Sequence, residues 1–156
     1  MGSVLSGRKI SYLIKLLKDE NKKIVLAGGC FDVLHPGHVI FLQKAKEAGD
    51  VLIVLLESDE KLKKIKGPDR PVHMQKDRAK ILSALEVVDY VVMLPYMPTE
   101  QSYNKLVKKI KPNIIALTRG YEDSYHKRVA KITGARLRYV TKMVGDHSTS
   151  RILNRR

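Results

Sequence analysis

The stretch Lys23-Ile24-Val25-Leu26-Ala27-Gly28-Gly29-Cys30-Phe31-Asp32-Val33-Leu34-His35-Pro36-Gly37-His38 decides the fold. Lys23 to Ala27 is a short apolar run stopped by two glycines, which reads as a buried strand. Beyond His38, Ile40, Phe41, Lys44, Ala45 and Ala48 lie on a helix that Gly49 ends. So short a turn between strand and helix sets a helix N-terminus beside a strand end. Free backbone N–H groups and the helix dipole make such a place a phosphate site. Gly37 has no Cβ, so a ligand can approach the backbone there. His35 and His38 flank it one helical turn apart. Both can donate hydrogen bonds to phosphate oxygens as charge builds up in a transition state. Gly28 and Gly29 let the strand end pack against a flat ring or a phosphate.

The same alternation continues in both directions. Ile10, Leu13, Ile14 and Leu17 give residues 8–19 helical spacing. Val51 to Leu56 is a second buried strand, and Asp59 to Ile65 a short lysine-rich helix or turn. Gly67-Pro68-Asp69-Arg70-Pro71 is a loop. Helices are expected over residues 75–85, 99–110 and 123–132, and strands over 89–94, 114–117 and 136–140. A last helix starts near Ser148. This order implies an α/β, Rossmann-like, doubly wound parallel sheet of five strands in a single domain, with ligands at the carboxyl ends of the strands. Residues 1–22 read as an N-terminal helical extension and 23–156 as the functional domain.

Composition narrows the classes. The chain has 156 residues, with 30 Lys+Arg against 16 Asp+Glu, a net charge of +14. Such a field attracts nucleotides, phosphorylated metabolites or nucleic acid. The one cysteine, Cys30, excludes an internal disulfide framework and a multi-cysteine zinc site, and fits the cytoplasm. No apolar run approaches the roughly 20 residues of a membrane-spanning helix, so no membrane partner is expected. Met1-Gly2-Ser3-Val4-Leu5-Ser6 fits the loose N-myristoylation pattern, although a small flexible leader explains it equally.

Gly29 to His38 resembles the signature of the cytidylyltransferase-like nucleotidyltransferases, and the resemblance runs from about Lys23 to Leu153. Lys63 to Val72 is similar to the lysine-rich loop of the ADP-heptose synthase branch. Arg78 with Ile81 to Asp89 resembles the helix and strand that follow, and Ser148-Thr149-Ser150-Arg151-Ile152 the C-terminal phosphate-binding turn. The resemblance implies transfer of an NMP from an NTP to a phosphorylated acceptor, with pyrophosphate released. ATP and a sugar phosphate of the heptose-1-phosphate type are favoured. CTP with glycerol-3-phosphate, and ATP with FMN, are alternatives.

The same resemblance implies the roles. His35, His38 and Lys46 would be catalytic. Gly29, Cys30, Phe31, Gly37, Arg119, Gly120, Ser148, Thr149 and Ser150 would hold the nucleotide. Lys64, Lys66 and Arg78 would bind phosphates, and Mg²⁺ would be held mainly by the substrate phosphates. A homodimer is expected. Relatives specific for CTP often carry an Arg shortly before the C-terminal turn; this chain has Lys142-Met143-Val144-Gly145-Asp146-His147 there. Tyr121 could stack on a base, Cys30 reads as packing rather than reactive, and Asp32 as orienting the turn. The charge and the Asn154-Arg155-Arg156 tail offer a nucleic-acid-binding module as the rival reading. No helix-turn-helix, zinc-finger or RNP-like pattern supports it.

Overall fold

The computed structural model describes residues 1–120, 124–142 and 153. In chain order they form β1 (Ser3–Leu5), α1 (Gly7–Asp19), β2 (Ile24–Gly29), α2 (Pro36–Lys46), β3 (Val51–Leu56) and α3 (Asp59–Lys66). There follow α4 (Gln75–Ser83), β4 (Tyr90–Met93), α5 (Glu100–Ile110), β5 (Ile114–Arg119), α6 (Ser124–Thr133) and β6 (Arg136–Lys142). Among the described residues the strands make one parallel sheet in the order β1-β4-β3-β2-β5-β6.

Five of these strands are the expected ones, and β1 is a sixth. Three residues are too few to show a strand period, so the segment reads from sequence as a leader. In the fold Ser3 pairs with Tyr90, and the Gly2 N–H donates to the Ser83 carbonyl at 2.7 Å. A Cβ on Gly2 would stand 2.3 Å from the Val88 carbonyl oxygen, so close backbone approach requires glycine here.

The sheet is covered on both faces. Alternate residues of β2 and β3 point to opposite sides. Ile24, Leu26, Ile53 and Leu55 pack with Ile10, Leu13, Ile14 and Leu17 of α1, Val107 and Ile110 of α5 and Val129 of α6. Val25, Ala27, Leu52, Val54 and Leu56 pack with Leu42 and Ala45 of α2 and Ala79 and Leu82 of α4. All six residues of β3 are buried. Each large aliphatic among them contributes about 1.5–3 kcal/mol by leaving water. The helix of the N-terminal extension thus packs on the sheet itself.

At the amino ends of the strands, side chains cap the ladder. Asp50 accepts from the Lys23 N–H, Asn113 from Ile24 and Asp89 from Leu52, at 2.7–2.8 Å. Helix α5 stops where Lys111 turns left-handed (φ 48°) ahead of Pro112. The chain goes from β2 to β3 on one side and later returns through β5 on the other. Strand order therefore reverses between β2 and β5, and the crevice lies at their carboxyl ends.

Candidate active site

The crevice begins where β2 ends. Gly29 leaves the strand, and Phe31 turns the chain back at φ 43° with its side chain buried. That ring lies under Gly29, where a Cβ would come within 2.8 Å of it. The flat ring against this glycine is thus the protein's own. Phe31 in turn meets the His38 ring, with centroids 5.2 Å apart. His35 is the extended N-cap of α2, and Pro36 takes the first helical position. The His35 carbonyl accepts from His38 N–H at 2.9 Å and from Val39 N–H at 3.3 Å. Since proline has no N–H, Gly37 is the first helix residue with one to offer a ligand.

The two imidazoles stack, with centroids 3.8 Å apart and planes 24° from parallel. Burial, then the neighbouring His35, pushes the His38 pKa down to about 4, against a smaller opposing contribution from the Val33 backbone. His38 is therefore neutral at pH 7 and able to donate through one nitrogen. Its Nδ1 is buried and meets no hydrogen-bond partner in the protein.

A stability prediction follows from that shift. The unfolded chain takes a proton on His38 below about pH 6.5, while the fold resists it down to about 4. The unfolded state then binds more protons, so this contribution is full above pH 6.5 and is lost as the pH falls towards 4. The slope is at most about 1.4 kcal/mol per pH unit. Urea midpoints measured between pH 4 and 7.5 should lose that component in His38→Gln. An unchanged profile in the variant would contradict the assignment.

A strap over residues 67–73 leans on the same loop. Asp32, 2% exposed, accepts from Val72 N–H at 2.8 Å, His73 N–H at 3.1 Å and the Arg70 guanidinium. Its role is to hold the strap against the histidine turn. Lys66, at the end of α3, acts electrostatically on Cys30. Lys64 sits over the Tyr96 ring, 4.3 Å from its centroid, and donates to its hydroxyl. The Cys30 thiol is pushed up chiefly by burial and next by Glu57, so it stays protonated.

Two expected phosphate ligands are elsewhere. Lys46 ends α2 at the opposite edge of the sheet, where its Nζ donates to the Asp50 carbonyl and Asp89, both at 2.6 Å. A helix of eleven residues carries it away from His35. Arg78 is 1% exposed and its guanidinium is committed within the protein. It donates to the carbonyls of His73, Cys30 and Glu57 and to the Asp59 carboxylate, at 2.5–2.9 Å. It braces the site from beneath. Arg119 and Gly120 (φ 104°) leave β5 on the far wall of the crevice, with Arg119 6.0 Å from the Tyr139 ring centroid. Tyr121 and Ser148, Thr149 and Ser150 lie outside the described residues, as does the last expected helix apart from Leu153.

Sequence reading missed two polar residues at this edge. Gln75 donates to the carbonyls of Leu56 and Leu94, bridging the ends of β3 and β4. Glu57, the first residue after β3, accepts from the Tyr103 hydroxyl with both oxygens. Burial raises its carboxyl above the usual range, against the opposing pull of Tyr103, Lys61 and Arg78. The available signal was its position, directly after a fully apolar strand in a sheet that binds ligands at strand ends.

A doubly wound sheet with a histidine-bearing helix N-terminus at its switch point defines a class. Residues 26–150 match the cytidylyltransferase-like family, and the chain belongs to that family of nucleotidyltransferases. The bifunctional protein HldE of Helicobacter pylori (strain ATCC 700392 / 26695) is 41% identical over 148 residues, 94% of this chain and 31% of that protein. The bifunctional protein HldE of a Nitratiruptor species is 50% identical over 107 residues, 69% of this chain and 22% of its own length. The chain thus spans under a third of these curated relatives. The lipopolysaccharide core biosynthesis protein of Thermoplasma volcanium GSS1 superposes with a TM-score of 0.61 at 26% identity, covering 79% of this chain and 97% of that one. Pantoate-beta-alanine ligase from Francisella tularensis shares the fold, with a TM-score of 0.68 at 16% identity over 94% of this chain and 69% of its own.

Proposed function

We propose that this chain transfers AMP from ATP to a sugar phosphate of the heptose-1-phosphate type, releasing pyrophosphate. The observation that carries the reading is the stacked His35–His38 pair at the N-terminus of α2, beside the carboxyl end of β2. An acceptor phosphate oxygen attacks the α-phosphorus in line. The new P–O bond forms as the bond to the bridging oxygen breaks, and pyrophosphate carries away the electron pair. No covalent enzyme intermediate is needed. The protein supplies placement and preorganised positive charge. His38 donates to oxygens where charge accumulates, and its dry surroundings strengthen that bond.

Lys64 and Lys66, on the helix that follows β3, supply cationic charge for phosphates. Among the described residues no group of three or more His, Cys, Asp or Glu could hold a metal ion. Mg²⁺ accompanying the NTP would therefore rest on phosphate oxygens and supply charge neutralisation there. The lysine loop and the likeness to HldE proteins support ATP and a heptose phosphate, and the name of the Thermoplasma relative supports a place in lipopolysaccharide core synthesis. A cytoplasmic homodimer completes the proposal, with the resemblance as its support; sedimentation reads the dimer.

The test is pyrophosphate release with Mg²⁺, crossing ATP and CTP against heptose-1-phosphate, glycerol-3-phosphate, phosphopantetheine and FMN. Release with ATP and heptose-1-phosphate is expected. Turnover in another cell of the grid would reassign the base or acceptor. Silence, together with no nucleotide binding by the folded protein, would overturn the reading in favour of nucleic acid.

A further inference from the structure

Glu57 stands one strand away from Gly29, and its N–H donates to the Gly29 carbonyl at 3.1 Å. Around it the chemistry is cationic, with Lys61 and Arg78 acting on its carboxylate and Lys66 on the adjacent Cys30. The nearby acidic groups are engaged: Asp32 by Arg70 and two backbone N–H groups, Asp59 by Arg78. Among the described residues Glu57 forms no ion pair, and its hydrogen-bond donor is the neutral Tyr103 hydroxyl, 2.8 and 2.9 Å from the two oxygens. An ionised carboxylate offers about four lone-pair sites, and a single hydroxyl proton leaves most of them open. A half-buried carboxylate in that condition favours further donors.

What it can accept is selective. A phosphate brought against Glu57 is repelled, whereas a hydroxyl group is attracted. The triphosphate belongs at the histidine turn and the acceptor phosphate with the lysines, which leaves the uncharged part of the acceptor for Glu57. We propose that Glu57, oriented by Tyr103, accepts hydrogen bonds from acceptor hydroxyl groups and so selects polyhydroxylated phosphates. This rests on the reading of the crevice as a nucleotidyl-transfer site.

The test is steady-state kinetics of the full chain with ATP, heptose-1-phosphate and a set of analogues each lacking one hydroxyl. Glu57→Gln should raise the acceptor KM roughly 10- to 100-fold, the scale of a hydrogen bond to a charged group. The KM for ATP and kcat should move less than about threefold, since the contact lies away from the reacting phosphorus. Tyr103→Phe should raise the acceptor KM less. One deoxy analogue should be used equally well by wild type and Glu57→Gln, because the ligand itself then lacks the partner hydroxyl. An unchanged acceptor KM in the folded variant overturns the inference, as does an equal penalty on every analogue. Wild-type turnover with FMN or phosphopantetheine but not heptose-1-phosphate overturns it too, while leaving the reaction class standing. Loss of ATP binding in the wild type would sink the functional reading itself.

Discussion

His38→Ala is expected to lower kcat by roughly two to three orders of magnitude, the cost of one lost donor at a developing oxyanion. The fold should survive the change at neutral pH. The imidazole is neutral there, and its buried Nδ1 makes no hydrogen bond that would be broken. The lost group acts where charge grows, so kcat should fall more than KM for the nucleotide rises. Single-turnover pyrophosphate release at saturating ATP reads this directly. A variant within a few-fold of wild type would remove His38 from the chemistry and leave His35 and the helix terminus to bear it.

Arg78→Ala is expected to cost about 3–5 kcal/mol of stability, the scale of breaking a buried charge network. Four groups lose their donor together: the carbonyls of Cys30, Glu57 and His73, and the Asp59 carboxylate. They belong to the exit of β2, the exit of β3, the strap and the start of α3. For a domain of this size the melting temperature should drop by on the order of 10 °C. Arg78→Lys should recover little, because an ammonium cannot reproduce the planar fork. Thermal melts of the three proteins decide the matter. A melting temperature within a degree or two for Arg78→Ala would show that the guanidinium is dispensable to the fold and return it to the list of phosphate ligands.

Much of the fold was legible because buried parallel strands leave plain signals. Val51 to Leu56 is uninterrupted aliphatic and is buried along its whole length. Ile10, Leu13, Ile14 and Leu17 mark one helical face, and that face packs on the sheet. β1 was not legible, since three residues carry no period and what holds them is a strand distant in sequence. The site was legible where one local segment builds it, from Gly29 to His38. It was not legible where long side chains choose between a ligand and the protein. Lys46 and Arg78 carry the right charge, but Asp89 claims one and four oxygens claim the other. Glu57 is informative only with Tyr103, and no spacing rule joins those two positions.

The pairing of Ser3 with Tyr90 also bears on how the molecule is made. During synthesis β1 precedes its only sheet neighbour, β4, by the whole of β2 and β3. At about 5–20 residues per second, that is a wait on the order of ten seconds on the ribosome. The central strands can zip in the meantime, whereas the edge must close last across a long loop. With three residues in its ladder, β1 is also the part whose amides should exchange first in the finished protein. The sheet is thus latched at one margin by a segment translated before the strands it joins.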